Sequence, residues 1–200
     1  MMPATNSPRG MPVVAALRAL IDLRTDDSIV VTNQASARIW PKLERRPLDL
    51  HYNPSTMGGA VPLALGLALA QPGRQVVAIS GDGALLMSLG SLVTVVGAGV
   101  SNLTIVVLDN GMYEVTGGQK TAASQAPLDW PALARAAGFP SAVRFDELSA
   151  WQAGAATALT MPGPQFISLV VQPTPAEFLR FPTPPIGEQV EQLRRALAVD

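Results

Sequence analysis

Two short runs, Ile79-Ser80-Gly81-Asp82-Gly83-Ala84 and Val107-Leu108-Asp109-Asn110, bound the stretch that decides the fold. Strand-like apolar segments lead into each run, at 75–80 and 103–108, and the uncharged residues 84–98 between them begin directly after the Gly-Asp-Gly. Strand, helix, strand is the order these lengths and breakers predict. In a parallel βαβ unit both strands deliver their carboxyl ends to one edge of the sheet, so Asp82 and Asn110 arrive side by side. A carboxylate, an amide carbonyl and one backbone carbonyl suit a hard cation such as Mg²⁺, which keeps its other positions for water and phosphate oxygens. Gly81 and Gly83 allow close backbone approach, and N–H groups at the start of the next helix face an anion. A lone Gly-Asp-Gly is also a common turn. The spacing to Asp109-Asn110-Gly111 after a second buried strand favours a metal–diphosphate cradle instead.

Residues 84–108 carry no charge, and by count alone they reach the roughly 20 needed to cross a bilayer. Gly97-Ala98-Gly99-Val100-Ser101-Asn102 interrupts them with a helix stop and a turn, and the β-branched run that follows is a strand. A helix plus a buried parallel strand is therefore expected, and no membrane span.

The Gly-Asp-Gly followed, with 26 residues between Gly83 and Asn110, by an asparagine resembles the thiamine diphosphate (ThDP) binding motif of ThDP-dependent enzymes. The continuation Leu108-Asp109-Asn110-Gly111-Met112-Tyr113-Glu114-Val115-Thr116-Gly117-Gly118-Gln119 is similar to that of sulfopyruvate and phosphonopyruvate decarboxylases. The likeness runs over about 12–172, the diphosphate-binding domain of that family. It implies ThDP and Mg²⁺ as cofactors, with Asp82, Asn110 and the Met112 carbonyl on the metal. Gly81, Gly83, Ala84, Tyr113, Glu114 and Val115 are implied beside the phosphates, with Ser36 and Ala37 touching them from the first strand's edge. Met57, 25 residues before Asp82, matches the bulky apolar residue that wedges under the cofactor and bends it. The Ser55 carbonyl and Met57 N–H would then bond its aminopyrimidine. The bent shape brings the amino group to the thiazolium carbon, which makes Met57 the implied catalytic position.

The same resemblance implies non-oxidative decarboxylation of a small 2-oxo acid to an aldehyde. It also implies a separate pyrimidine-domain (alpha) subunit that carries the activating glutamate, in an α2β2 or larger assembly. Two alternatives stand beside it, an acetolactate-synthase-like carboligase subunit and a non-catalytic nucleotide-binding α/β subunit. In the latter, Asp82 and Asn110 are turn residues.

Composition sets limits independent of any family. Two hundred residues make one ordinary domain. Charged residues are 14% of the chain, against about 25% in typical soluble proteins, and 48% are hydrophobic, so association with another chain is expected. A net charge of −1 gives no electrostatic footprint for nucleic acid or anionic membrane. With no cysteine, thiolate zinc sites, clusters and disulfides are excluded. The start of the chain shows no signal-peptide pattern, and a cytoplasmic location is expected.

Along the chain, 1–11 is expected to be disordered and 173–200 to be a Pro-rich linker with a C-terminal helix at 188–198. A helix is predicted at 13–24 and a strand at 29–32, after which Ser36 is equally suited to capping a helix. Residues 41–56 contain three prolines and are expected as loop with an extended piece at 48–52. His51, the one histidine, lies there and is more often structural than catalytic in such a setting. Ser55 or Thr56 can cap the apolar helix 61–70, in which case Met57 is core filler. The helix from Ala84 is apolar almost all round and so is expected to be covered on nearly every side. Residues 111–127 form too long a connection to be routine, and Gln119 and Lys120 within it could meet an anionic substrate. Helices at 129–137 and 147–159 alternate with strands at 142–145 and 165–171, with no hairpin. The fold class is therefore α/β, a three-layer α/β/α domain around a mainly parallel sheet of about six strands.

Overall fold

A computed structural model describes residues 10–126, 128–180 and 182–198. The expected disorder of 1–9 lies outside the described residues. Met11 is 2% exposed, donates its N–H to the Val170 carbonyl at 3.0 Å and pairs with Val171, so the ordered chain starts earlier than the composition suggested.

The elements follow in order as α1 (Val13–Ile21), β1 (Ile29–Asn33), α2 (Ser36–Leu43), β2 (Asp49–Tyr52), α3 (Ala60–Ala70) and β3 (Val76–Gly81). Next come α4 (Asp82–Leu86), α5 (Gly90–Gly97), β4 (Leu103–Asp109), the two-residue strands β5 (Met112–Tyr113) and β6 (Gln119–Lys120), and α6 (Ala122–Gln125). The chain ends through α7 (Trp130–Ala137), β7 (Ser141–Phe145), α8 (Leu148–Thr160), β8 (Gln165–Val170), α9 (Ala176–Leu179) and α10 (Ile186–Leu197).

Six strands form one parallel sheet in the order β2-β1-β3-β4-β8-β7. Its inner strands β1, β3, β4 and β8 are buried almost throughout, as runs of Val, Ile and Leu covered on both faces must be. One core, with Val31, Ala78, Ile105 and Phe166, lies under α3, α5 and α7; the other, with Val30, Ile79, Val106 and Ile167, lies under α1, α2 and α8. The expected three-layer α/β/α architecture is the one observed.

The extended piece expected at 48–52 holds, as an edge strand in register with β1, Thr32 opposite His51. Its outer edge is closed by Gln189 of α10, whose amide accepts from the His51 N–H at 2.7 Å and donates to the His51 carbonyl at 3.1 Å, replacing a seventh strand. Several local expectations need correction. Helix α2 runs through Pro41, held by the fully buried Ile39 and Trp40. Ser36 is inside α2 rather than capping it, and Ser55 and Thr56 make no cap on α3. The expected single helix 84–98 is two helices. Tight three-residue turns at 87–89 break it, Ser88 turns its hydroxyl to the Gly58 carbonyl at 3.0 Å, and Gly90 weakens the helix there. Nor is this pair covered on all sides, since Met87 is 57% and Val93 62% exposed. The connection 111–127 contains an antiparallel β5–β6 hairpin that alternation alone did not predict.

Candidate functional site

From β1 the chain crosses to β2 on one side, whereas from β3 it crosses to β4 on the other. The two connections therefore diverge above the carboxyl ends of β1 and β3 and leave a crevice between them, the place where open parallel sheets bind ligands. Residues 33–36 form one wall and Gly81–Ala84 the other. Gly81 pairs with Leu108, so Asp82 stands level with Asp109 and one step from Asn110.

Asp82 is 1% exposed. Burial pushes its carboxyl up to about 6, opposed by a hydrogen bond from Thr121 and reinforced by the neighbouring Asp109; the Gly83 N–H also opposes it. The Thr121 hydroxyl donates to Asp82 Oδ2 at 2.9 Å. On the β4 side, Asn110 Oδ1 accepts the Met112 N–H at 3.0 Å, and Gly111 turns the chain at φ +74°. The Tyr113 ring lies on Gly83, where a β-carbon would stand 2.5 Å from it. Glu114 accepts from the Thr174 N–H at 2.5 Å and hydroxyl at 2.7 Å, pinning this loop to the segment after β8.

On the β1 side, Asn33 is fully buried and both polar atoms of its side chain lack a partner. Buried amides are almost always satisfied, so one left open in a cavity wall is available to bond a water or a ligand there. Gln34 beside it holds φ +52°, a left-handed conformation costly for a non-glycine, and donates to Ser55 Oγ at 2.9 Å. Ser36 staples the turn, its hydroxyl donating to the Asn33 carbonyl at 2.7 Å.

Of the residues singled out by sequence, Ser36, Met57, Gly81, Asp82, Gly83, Ala84, Asn110, Met112, Tyr113, Glu114 and Val115 all line this one cavity. Two do not: Ser55 stands behind Gln34, and Ala37 is packed within α2. His51 is 4% exposed and bonded to the Thr32 hydroxyl at 3.0 Å; burial, with Arg45 and Arg24 nearby, brings its pKa down to about 4 and keeps it neutral. Lys120 faces a separate open groove with Arg135 and Arg144, and Gln119 folds back onto the Thr116 carbonyl. Sequence reading passed over Asn33, Gln34, Thr121 and Thr174. A polar pair ending an apolar strand was the available signal for the first two; the others depend on contacts made far along the chain.

The free space in the cavity is about 50 Å³, small beside the roughly 300–1,000 Å³ of a ligand pocket. Tyr113 and its loop occupy what would otherwise be open cradle. Among the described residues the lining carries two carboxylates, Asp82 and Glu114, and no lysine, arginine or histidine. Beside two carboxylates, an anion's charge would be balanced by a cation between them. The donors present, one carboxylate, one amide and nearby carbonyls, fit a hard divalent ion shared with a phosphate and not a thiolate or imidazole metal.

Residues 31–169 match the family model described as thiamine pyrophosphate enzyme, C-terminal TPP binding domain. Phosphonopyruvate decarboxylase of Streptomyces viridochromogenes is 37% identical, the match covering 92% of this chain and 50% of that protein. Sulfopyruvate decarboxylase subunit beta of Methanothermobacter thermautotrophicus is 43% identical over 63% of this chain and 64% of its own length. The chain thus spans about half to two thirds of these curated relatives. A solved structure of a candidate thiamin diphosphate-dependent enzyme from Mycobacterium smegmatis shares the fold, with TM-score 0.67 and 24% identity over 84% of this chain and 34% of that one.

Proposed function

Because the chain belongs to the thiamine pyrophosphate enzymes and carries their C-terminal cofactor-binding domain, we propose that it holds thiamine diphosphate and Mg²⁺ in the crevice between β1 and β3, as one half of a 2-oxo acid decarboxylase. The observation that carries this reading is the meeting of Asp82 with Asn110 and Met112 where β3 and β4 end. Asp82 and Asn110 would each give the metal one oxygen and the Met112 carbonyl a third, with phosphate and water completing the shell. Gly83 would let the diphosphate come close and the Ala84 N–H would face it, and the unpartnered Asn33 amide would reach it from the β1 side.

Thiamine diphosphate, when bound, supplies an electron sink for the loss of CO₂ from a 2-oxo acid. The protein's part is to orient. Met57 would press beneath the cofactor's two rings, while the Ser55 carbonyl and Met57 N–H take its aminopyrimidine. Residues 12–172 would be the diphosphate-binding unit; among the described residues beyond it, α10 packs against β2. The substrate is a short 2-oxo acid with a second anionic group, released as an aldehyde, in line with the two named decarboxylases among the relatives. Among the described residues, the cavity wall has no cationic side chain to meet that second group. A pyrimidine-domain chain would provide it together with the activating glutamate, in an α2β2 or larger cytoplasmic assembly, and the subunit name of one relative supports such a division.

Isothermal titration tests the site. Asp82→Ala should abolish Mg²⁺-dependent binding of thiamine diphosphate with the fold intact, and Asn110→Ala should weaken it by at least about 10-fold, the low end of the cost of losing even an outer-shell partner. Unchanged affinity in Asp82→Ala would sink the assignment.

A further inference from the structure

Thr121 is the one fully buried side chain in an otherwise exposed stretch; among the described residues of 115–126 every other side chain is half-buried or exposed. Nothing in local hydrophobicity explains that burial. Its N–H donates to the Gly111 carbonyl at 2.9 Å, closing the base of the loop that begins at Asn110, and its own carbonyl accepts from the Ser124 N–H at 3.1 Å and hydroxyl at 2.8 Å. With the backbone held on both sides, a β-branched side chain has few rotamers left. Its methyl sits over Gly83, 3.1 Å from where a β-carbon there would stand, and its hydroxyl donates to Asp82 Oδ2 at 2.9 Å.

Two loops from different strands must supply the metal oxygens, Asp82 from β3 and Asn110 with Met112 from β4. The Thr121 hydroxyl is a side-chain bond between these halves, made by the residue that closes the second loop. Resting on the proposed function, we infer that Thr121 is a positioning residue of the metal site: together with the Gly83 N–H it fixes the Asp82 carboxylate, its hydroxyl taking Oδ2, so that the rest of the carboxylate is presented to a divalent cation in line with Asn110 and Met112. A carboxylate free to rotate would give the cation a poorer and entropically costlier ligand. Groups that orient a ligating carboxylate in this way are worth about 10–100-fold in metal affinity.

The rival account, that Thr121 merely fills space over Gly83, makes the opposite forecast for two substitutions. Thr121→Val keeps the shape and methyl and removes the donor, whereas Thr121→Ser keeps the donor and removes the methyl. Binding of Mn²⁺, a paramagnetic stand-in for Mg²⁺, is measured by electron paramagnetic resonance on the full chain with saturating thiamine diphosphate, beside thermal melts, for the wild type, Asp82→Ala and both variants. The expected result is a roughly 10–100-fold loss of Mn²⁺ affinity in Thr121→Val and wild-type-like affinity in Thr121→Ser. A folded Thr121→Val that binds Mn²⁺ as the wild type does, while Asp82→Ala does not, overturns the role of Thr121 alone. Should Thr121→Val not fold, Thr121→Ala takes its place, and a folded Thr121→Ser that has lost affinity equally overturns the inference. A wild type that fails to bind Mn²⁺ with the cofactor, or an Asp82→Ala that binds it normally, overturns the proposed function as well.

Discussion

His51 shows how a single buried side chain outside the cavity can affect acid stability. Burial holds its folded pKa near 4, against an ordinary value of 6.5, so between those two pH values the unfolded chain binds a proton that the folded chain refuses. Stability from this residue is therefore fully present above about pH 6.5 and is lost as the pH falls toward 4, by roughly 3 kcal/mol in all. Urea unfolding at pH 7, 5.5 and 4.5 should show a smaller acid loss in His51→Gln than in the wild type; equal slopes would mean that His51 is not the titrating group. Asp82 and Asn110 were legible at this scale because each ends an apolar strand at a spacing that chemistry restricts. Asn33 ends β1 in the same way, yet an asparagine before a helix is so ordinary a turn residue that only its unpartnered, buried amide sets it apart. Thr121 was illegible, since its meaning lies in contacts with Gly83 and Asp82, 38 and 39 positions earlier.

Among the elements, the loop from Gly111 to Thr121 covers the proposed cradle. Tyr113 covers Gly83, the Glu114–Thr174 clasp holds the loop down, and about 50 Å³ remains beneath it. In the proposed site, a diphosphate would enter as that clasp opens. A hydrogen bond to a charged group contributes about 1.5–3 kcal/mol, so Thr174→Val, which removes the hydroxyl and spares the N–H, should raise the association rate of thiamine diphosphate about tenfold. Stopped-flow tryptophan fluorescence measures it, and an unchanged rate would place the barrier elsewhere. The length of this connection was visible in the sequence and its hairpin was not, because strands of two residues carry no periodicity. The break at 87–89 was hidden for a related reason. Leucine, valine and methionine on both sides support one helix, and the competing bond from Ser88 to Gly58 is tertiary.

At the scale of the whole molecule, two features point outward from the chain. Residues 53–73 and 83–108 carry no charged side chain, and they place Leu69, Met87 and Val93 at 55%, 57% and 62% exposure on the α3–α5 layer. An uncharged helical face of this kind is a surface that another chain would cover. The second feature is the supply of glutamates. Of Glu44, Glu114, Glu147, Glu177, Glu188 and Glu191, only Glu114 lines the cavity, and both of its oxygens are taken by Thr174. Glu44 is engaged with Arg46, and Glu191 pairs with Arg195 and Arg194 on α10. In the proposed reading, an activating carboxylate for the cofactor's pyrimidine would come from outside the described residues, on a partner surface that also covers the apolar face. The expectation is that the purified chain shows no turnover of a 2-oxo acid with thiamine diphosphate and Mg²⁺. Decarboxylation should appear when a pyrimidine-domain chain is added, and elution as a larger species on size exclusion should accompany it. Glu114→Gln should leave the activity of that complex within about threefold, since a residue bonded to Thr174 is not the activator. Robust turnover by the chain alone, abolished in Glu114→Gln, would instead make Glu114 the activating group and remove the need for a partner.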